Sequence, residues 1–561
     1  MLYEELKRAW AELTAPGAPF EIAVAEVRGS PCRTYKNAPP SIRALWLSTA
    51  AYGPRDYLVY ENERMTYAQA HARVEAIAAW LGDHGIGPGD RVAIAMRNYP
   101  EWMLIYWACV ASGVAAVGMN AWWSAEEMAY ALADSAPKVL FCDAERLARL
   151  AEPPAAKVVA VRAEAPAWAT PWSAVAAHPG RLPEANIDPD ADACIFYTSG
   201  TTGFPKGAQL THRGCIANLF SMMFAAQTQA LALARHTGVP IDPSAPPPIP
   251  VGLLTTPLFH VTANNCGAYA LTAAGGKMVM MYRWDAGEAL RLIEAEKVTA
   301  LSGVPVMVRE VISHPDFATR DLSSLVSLAG GGAQVPPDLV GKVDATPAAV
   351  RPATGYGLTE TCGIITSVSA DFFVGKPDSA GPIMPDFETR CVADDGEVVG
   401  VGELGELWVR GAQVIKGYLN RPEATAEAIT DGWFHTGDIA RLDADGFLFI
   451  VDRKKDMILR GGENIYCAEV EAAAYRHPGV AECSAFGVAD DRLGEEVALA
   501  VFAKPGETLT AEAVREQIRV CIARHKAPRY IWILDEPLPR NASGKFLRRE
   551  LRERLAVDEA V

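Results

Sequence analysis

The residues from Thr198 to Gly207 combine glycines, hydroxyls and one cation in an order suited to binding phosphate. A strand-like run, Ala193–Thr198, leads into Ser-Gly-Thr-Thr-Gly-Phe-Pro, which Lys206 follows. Glycines let the backbone approach a ligand closely, N–H groups and hydroxyls donate hydrogen bonds, and the lysine supplies charge. The spacing does not match a Walker A loop. The pattern therefore predicts a phosphate-binding loop, and the alternative that it leaves open is a flexible Gly/Thr hairpin.

Two further segments carry groups that a nucleotide needs. Tyr356–Glu360 places an aromatic face, a hydroxyl and a carboxylate within five residues, enough to stack a base, bind phosphate and ligate a hard cation. The Gly330–Ala333 turn follows the strand-like Leu325–Ala329 and could admit a flat ring. Taken alone, Glu360 would more often be a solvated surface residue. The glycines leave open the alternative of close backbone packing in a tight turn.

Four single residues are open to two interpretations each. Asp438 offers two acceptor oxygens to a ribose diol, or is a turn aspartate. Lys545 lies in a Gly-containing turn, where a lysine is usually solvent-exposed. His260, at the end of Thr-Pro-Leu-Phe-His, either orients a carboxylate or packs in the core. Cys467 is interpreted as a packed thiol rather than a nucleophile.

Five motifs in order along the chain resemble the signature sequences of the adenylate-forming (ANL) superfamily of acyl-CoA synthetases, luciferases and peptide-synthetase adenylation domains. They are YTSGTTGFPKG at 197–207, YGLTE at 356–360, GWFHTGD at 432–438, DRKKDMI at 452–458 and PRNASGK at 539–545. Cys467 departs from the family pattern, in which proline often follows Asn-Ile-Tyr. The resemblance implies that ATP activates a carboxylic acid as an acyl-adenylate with release of pyrophosphate. A thiol, coenzyme A first of all, then takes the acyl group and AMP leaves.

The resemblance also assigns site residues, and it implies ATP, Mg²⁺ and coenzyme A as co-substrates and cofactor. Catalytic roles go to Lys206, Thr359, Glu360 and Lys545, with Glu360 as the Mg²⁺ ligand. The implied nucleotide contacts are Thr198, Ser199, Gly200, Thr201, Thr202, Gly203, Lys206, Gly331, Gly332, Ala333, Tyr356, Gly357, Thr359, Asp438 and Arg453. The implied acyl pocket comprises Phe259, His260, Val261, Asn264, Gly355 and Cys362. The implied channel for the thiol arm comprises Gly461, Gly462 and Glu463, and Lys455 is the implied hinge.

The elements that must position these residues alternate between helix and strand. Thr66 is predicted to cap a helix that buries Val74, Ile77 and Leu81 and ends near Gly85. Strands are predicted at Arg91–Met96, Val139–Cys142, Val158–Val161 and Lys277–Met281. This alternation favours layered α/β sheets. We expect a large N-terminal domain of several subdomains, 1–452, and a small mobile α+β C-terminal domain, 453–561, because the strand-like 447–451 runs into a charged segment.

Length and composition narrow the class of protein. The chain has 561 residues, more than a single hydrophobic core of roughly 250–300 residues supports. A net charge of −16 opposes nonspecific binding to nucleic acid and to anionic membranes. Eleven scattered cysteines without a CxxC pair indicate neither zinc nor disulfides and favour the cytoplasm. No leader peptide is expected, and the apolar Met103–Val117 is too short to span a bilayer, so we expect a buried core helix there.

Three hypotheses about function remain open at this point. The first is an acid–CoA ligase, with a medium- or long-chain aliphatic acid as the leading substrate and aryl or polycyclic acids next. The second is an adenylating ligase that delivers the acyl group to a carrier protein or closes a β-lactone. The third is a noncatalytic nucleotide-binding protein, which the presence of Lys206, Glu360 and Lys545 disfavours. A homodimer is left open, and the Pro-rich 238–250 is predicted to be a surface loop.

Overall fold

The computed structural model describes residues 2–198, 205–242, 248–348, 350–541 and 544–561. Five predicted phosphate-loop residues, Ser199, Gly200, Thr201, Thr202 and Gly203, lie outside the described residues, as does part of the Pro-rich loop. The described residues form an α/β protein with a large N-terminal part and a small C-terminal part, as the sequence predicts. The domain boundary between residues 452 and 453 stays a prediction.

Two large sheets with mostly parallel strands form the centre of the N-terminal part. Across the seven-stranded sheet the order is Lys206–Thr211, Asp192–Thr198, Ala115–Gly118, Arg91–Ala95, Val139–Cys142, Lys157–Ala160 and Thr170–Pro171. Across the eight-stranded sheet it is Gly363–Ser369, Arg351–Leu358, Ser327–Gly330, Ala300–Gly303, Val251–Leu254, Lys277–Met280, Asp56–Tyr60 and Glu63–Thr66. Among the strands that the structure describes in these two sheets, antiparallel pairs occur only at the edges.

Three smaller sheets complete the described structure. A two-stranded sheet joins Ile22–Val27 and Ser30–Tyr35. A six-stranded sheet has the order Gly381–Pro382, Phe447–Arg453, Trp433–Leu442, Gly405–Gly411 and Phe387–Val392, with Ile429–Thr430 beside Trp433–Leu442. The five-stranded sheet of the C-terminal part has the order Glu463–Ile465, Ile458–Arg460, Gly494–Ala503 and Val480–Asp490, with Tyr530–Leu534 beside Gly494–Ala503. That last sheet has its own buried core.

Helices cover the faces of these sheets. The α-helices are Leu2–Thr14, Ile42–Ser48, Tyr67–Asp83, Pro100–Ala111, Ala125–Ser135, Ala144–Leu147, Trp172–Ala176, His212–Thr237, Tyr269–Ala273, Ala286–Glu296, Pro305–Ser313, Pro337–Asp344, Ala370–Gly375, Pro422–Ala428, Cys467–Ala474, Ala511–Cys521 and Arg548–Arg554. Short 3₁₀ turns occur at Thr49–Tyr52, Pro315–Ala318, Thr359–Thr361, Arg524–Lys526 and Val557–Glu559, and Thr262–Ala268 is a π-helix.

Local sequence signals account for the first of the predicted helices. Thr66 caps Tyr67–Asp83 through a capping box with Gln69, and Gly85 follows the helix with φ +73°. Both features match the sequence prediction, because a threonine hydroxyl satisfies an otherwise unpaired N–H and glycine tolerates positive φ. The apolar segment from Met103 begins inside Pro100–Ala111, whose residues are almost all buried. The prediction of a core helix is confirmed for Met103–Ala111. It is wrong for Ala115–Val117, which lies in the buried strand Ala115–Gly118, because Gly113 with φ +74° follows the end of the helix.

One helix among the described residues, His212–Thr237, is long and apolar enough by composition to cross a membrane. Of its most apolar stretch, 56% is buried inside the protein. It packs against Leu2–Thr14 and the strand Gly363–Ser369. This burial is that of a core helix, because a membrane span would present its apolar side chains to lipid.

Asp386 is a buried carboxyl that makes stability depend on pH. It accepts hydrogen bonds from Ser221 Oγ at 2.9 Å and Gln413 Nε2 at 2.8 Å, and no cation in the described part of the chain pairs with it. Burial raises the pKa of Asp386 to about 6 from an ordinary 3.8. Since the folded state holds this proton more tightly than the unfolded state, stability is fully present below pH 3.8 and falls as the pH rises toward 6.

We therefore expect Asp386→Asn to gain stability over wild type as the pH rises, because the amide never takes on the buried charge. The gain should reach about 1–3 kcal/mol between about pH 4 and pH 7.5. Thermal unfolding midpoints of the two proteins, compared across that range, measure it. A difference in midpoint that stays constant with pH would contradict the assignment of the titration to Asp386.

Candidate active site

A cleft of about 1540 Å³ lies where the carboxyl ends of several parallel strands meet the C-terminal part of the chain. Three neighbouring strands run parallel, so the residues that follow them lie at one edge of the sheet: Ala300–Gly303, Ser327–Gly330 and Arg351–Leu358. Ligands of open α/β sheets generally bind at this edge. The predicted site residues that line it are Thr198, Lys206, Phe259, His260, Val261, Gly331, Gly332, Gly357, Thr359, Glu360, Arg453, Lys455 and Lys545. The cleft thus gathers residues from all five motifs.

Lys206 and Glu360 occupy the same part of the cleft and share a neighbour that the sequence did not single out. Tyr418 OH donates to Glu360 Oε1 at 2.9 Å, and Lys206 Nζ lies 5.0 Å from the centroid of the Tyr418 ring. Thr359 and Glu360 lie in the 3₁₀ turn that directly follows strand Arg351–Leu358. A cation and a carboxylate therefore contact the same tyrosine, the cation through its ring and the carboxylate through its hydroxyl.

Tyr356, Asp438 and Arg453 form a hydrogen-bonded group beside the cleft. Asp438 and Arg453 are paired across neighbouring antiparallel strands, and Arg453 Nε lies 2.8 Å from Asp438 Oδ1. Tyr356 OH donates to Asp438 Oδ2 at 2.5 Å. Burial raises the pKa of Asp438, and the charge of Arg453 opposes that rise. Arg453 lines the cleft, whereas Tyr356, Asp438 and the exposed Ala333 do not.

Lys545 enters the cleft on a turn that packs closely against the N-terminal part. Gly544 has φ +81°, and a Cβ built on it would lie 2.8 Å from Val304 Cγ2, so glycine is required at this contact. The turn is held by Lys545 N, which donates to Asn541 Oδ1 at 3.0 Å, and by Arg540, whose guanidinium donates to Gly544 O at 3.1 Å. Burial among protein groups lowers the pKa of Lys545, and the charge of Arg453 lowers it further.

His260 faces this lysine across the cleft with an unsatisfied ring nitrogen. Its Nε2 is buried without a hydrogen-bond partner among the described residues. Burial, assisted by the charge of Lys545, lowers the pKa of His260 to about 4, so the imidazole is neutral near pH 7. A neutral ring with one unpaired nitrogen at the edge of a cleft fits a ligand contact better than a satisfied core histidine.

The predicted acyl-pocket residues divide into two groups. Phe259, His260 and Val261 line the cleft. Asn264 and Cys362 are fully buried, and neither they nor Gly355 are among the residues that line it. The π-helix Thr262–Ala268 contains Asn264, and π-helical turns are often found at functional sites. The acyl-pocket role of Asn264, Gly355 and Cys362 stays a prediction.

The predicted thiol-channel residues lie at an exposed hairpin away from the cleft. Gly461 and Gly462, with φ +59° and +89°, form the two-residue turn between Ile458–Arg460 and Glu463–Ile465, as a type I′ turn requires. Neither glycine nor Glu463 lines the cleft, whereas Lys545 does. The structure therefore presents Lys545, and not this hairpin, to the cleft.

The predicted hinge lies in the turn between strands Phe447–Arg453 and Ile458–Arg460. Lys455 is exposed there at the mouth of the cleft. The sequence did not indicate a contact across this turn: buried Asp452 accepts a hydrogen bond from the backbone N–H of Cys467, the first residue of helix Cys467–Ala474. Burial raises the pKa of Asp452 to about 6. Cys467 itself is a buried free thiol that contacts Asp456 O at 3.1 Å, which fits a packing role.

The described residues offer few ligands for a Mg²⁺ ion. Among the described residues no group of three or more His, Cys, Asp or Glu side chains could hold a metal ion. Glu360 presents its carboxylate in the cleft, where Oε1 accepts a hydrogen bond from Tyr418 OH. It forms no ion pair among the described residues. Mg²⁺ is usually bound by one or two carboxylates together with substrate phosphates. Glu360 fits that mode of binding.

Comparisons with known proteins found matching family models, relatives and solved structures. The family model described as AMP-binding enzyme matches residues 46–419, and that of the AMP-binding enzyme C-terminal domain matches residues 469–545. A feruloyl-CoA synthase of Amycolatopsis sp is 36% identical over 493 residues, 87% of this chain and 94% of the relative. A long-chain-fatty-acid–CoA ligase of Mycobacterium tuberculosis is 35% identical over 503 residues, 88% of this chain and 94% of the relative. A solved o-succinylbenzoate CoA synthetase of Bacillus subtilis, in complex with the acyl-adenylate intermediate OSB-AMP, has TM-score 0.74 and 29% identity and covers 91% of this chain and 97% of that one.

Proposed function

Because the chain belongs to the AMP-binding enzyme family of adenylate-forming acyl-CoA ligases, we propose that its cleft joins a carboxylic acid to ATP and then passes the acyl group to coenzyme A. The observation that carries this proposal is the presence of Lys545, Lys206 and Glu360 in one cleft. They come from three distant motifs, and each supplies a charge that the first half-reaction needs.

In the first half-reaction a carboxylate oxygen attacks the α-phosphorus of ATP, and the bond to the β-phosphate oxygen breaks to release pyrophosphate. Both reactants are anionic, so the main demands are positioning and neutralisation of charge. Lys206, Arg453 and Lys545 supply cationic groups, and neutral His260 can hydrogen-bond the substrate carboxylate through Nε2. Mg²⁺ at Glu360 would neutralise phosphate charge. In the second half-reaction a thiolate attacks the acyl carbon, and AMP leaves with the bridging oxygen.

A cationic and aromatic wall of the cleft supports coenzyme A as the acceptor. The Arg97 guanidinium lies 3.9 Å over the Trp122 ring and 5.3 Å from the Tyr282 ring, and Arg283 lies beside Tyr282. Arg97 Nε is buried without a hydrogen-bond partner among the described residues, while Trp122 is 45% exposed. In a chain of net charge −16, arginines that form no ion pair within 4.0 Å among the described residues and lie next to an open ring suit an adenine nucleotide with phosphates.

We therefore expect Arg97→Gln to raise the KM for coenzyme A about tenfold, since a charge-assisted contact with phosphate is lost. The KM for pantetheine, which lacks the nucleotide, should not change. Steady-state thioester formation with each acceptor measures both values. An equal rise for both acceptors would contradict the assignment of Arg97 to the nucleotide. Turnover with an acyl carrier protein that exceeds turnover with coenzyme A would favour the carrier-protein alternative.

The identity of the acid is the finer part of the proposal. We keep a medium- or long-chain aliphatic acid and an aryl acid as the two candidates, and the aryl candidate draws support from the feruloyl-CoA synthase relative. Pyrophosphate release over a panel of both classes, with and without coenzyme A, tests the function. We expect release with at least one acid and a thioester only when coenzyme A is present. No release with any acid would contradict adenylation. The β-lactone alternative, the cytoplasmic location and a homodimer stay predictions.

A further inference from the structure

Tyr418 is anchored to the same strand that begins with Lys206. Leu419 N donates to Gly207 O at 2.8 Å, Gln209 N donates to Gly417 O at 2.9 Å, and Ala208 and Tyr418 form an antiparallel bridge. The segment around Tyr418 therefore pairs with the edge strand of the seven-stranded sheet through one antiparallel bridge and its flanking hydrogen bonds. This pairing fixes the backbone of Tyr418 beside the start of the strand that carries Lys206.

Tyr418 contacts two groups of opposite charge through different parts of its side chain. The hydroxyl donates to Glu360 Oε1 at 2.9 Å, and the ring carries Lys206 Nζ at 5.0 Å from its centroid. In the described part of the chain, no ion pair within 4.0 Å joins Lys206 to Glu360. A direct pair would cancel the two charges that bind opposite parts of a metal–nucleotide complex.

We propose that Tyr418 is a positioning residue for adenylation: its hydroxyl orients Glu360, and its ring keeps Lys206 apart from that carboxylate. The proposal rests on the function proposed above. It separates the two interactions, because Tyr418→Phe removes the hydroxyl and keeps the ring, whereas Tyr418→Leu removes both. A hydrogen bond to a carboxylate and a cation–π contact are each large enough to measure.

For Tyr418→Phe we expect the Mg²⁺ concentration at half-maximal pyrophosphate release to rise about five- to tenfold. Calorimetric binding of ATP without Mg²⁺ should not change, because the ring still holds Lys206. For Tyr418→Leu, ATP without Mg²⁺ should bind about threefold or more weakly as well, because Lys206 is then free to pair with Glu360. Thioester formation from supplied acyl-adenylate should be unaffected in both variants.

A matched control comes from Tyr52, which makes the same two kinds of contact outside the cleft. Tyr52 OH donates to Ala273 O at 2.8 Å, and the Arg55 guanidinium lies 4.9 Å from its ring centroid. Tyr52→Phe should leave the Mg²⁺ titration and ATP binding at wild-type values. A double variant with Glu360→Gln adds a second test: Tyr418→Phe should cause little further loss once the carboxylate has gone.

A wild-type Mg²⁺ titration for folded Tyr418→Phe, or full additivity with Glu360→Gln, would overturn the proposal. The calorimetric arm needs no acid substrate, so it still reports on Tyr418 if no acid supports pyrophosphate release. Absence of release from the wild-type protein would count against the proposed function instead, and the two failures can be told apart.

Discussion

Lys545→Ala should slow acyl-adenylate formation by on the order of 100- to 1,000-fold, as the loss of a group that stabilises developing charge typically does. Thioester formation from supplied acyl-adenylate should stay within about threefold of wild type. The reason is that Lys545 lies in the cleft opposite His260 and near Arg453 and Glu360, where carboxylate and phosphate must meet. We do not expect thioester formation from acyl-adenylate to need that charge.

Single-turnover measurements of the two half-reactions separate these effects. The control is Lys526→Ala, which removes a lysine of the same part of the chain that pairs with Glu469 at 2.7 Å and does not line the cleft. It should leave both rates near wild type. Equal losses in both half-reactions for Lys545→Ala would show that the lysine acts on the fold or on general binding rather than on adenylation.

Lys455→Pro should allow acyl-adenylate to form and block its transfer to coenzyme A by about 100-fold or more, if the C-terminal part must rotate between the half-reactions. Proline fixes φ near −65° and restricts the residue before it, so the hinge loses the freedom that a rotation needs. Lys455 N donates no backbone hydrogen bond among the described residues. The substitution therefore removes no backbone contact from the arrangement that presents Lys545.

The measurement is the decay of preformed acyl-adenylate when coenzyme A is added. Lys455→Ala removes the side chain but keeps the backbone freedom, so it should transfer the acyl group at a rate close to that of wild type. Normal decay in folded Lys455→Pro would mean that residue 455 is not the hinge, or that both half-reactions proceed without the rotation.

Local signals in the sequence were enough to predict the elements that begin with a capping residue or consist of a short apolar run. Thr66 predicted a helix start, and runs such as Val139–Cys142 predicted buried strands, and the structure confirms both. The motifs also indicated which charged residues would converge on the cleft. Their roles in binding and catalysis stay predictions, because a fold can bring residues together without showing what they bind.

Contacts set by strand pairing could not be read from the sequence. Tyr418 reaches Lys206 only because its segment pairs with the strand that starts there, and nothing near either residue encodes that register. Arg97 meets Trp122 and Tyr282 for a similar reason, since each follows a different strand end. Asn264 is buried within the π-helix Thr262–Ala268, which periodicity does not reveal, and Asn265 of that helix donates a hydrogen bond to Cys362 O at 2.9 Å.

The central claim is that the acid is activated as an acyl-adenylate. The most direct measurement uses an acid labelled with heavy oxygen in both carboxylate positions and follows the label by mass spectrometry after one turnover with ATP and coenzyme A. Attack of the carboxylate on the α-phosphorus predicts one labelled oxygen in AMP and none in pyrophosphate. Label in inorganic phosphate, with ADP as the other product, would contradict the account, because it would mean attack on the γ-phosphorus.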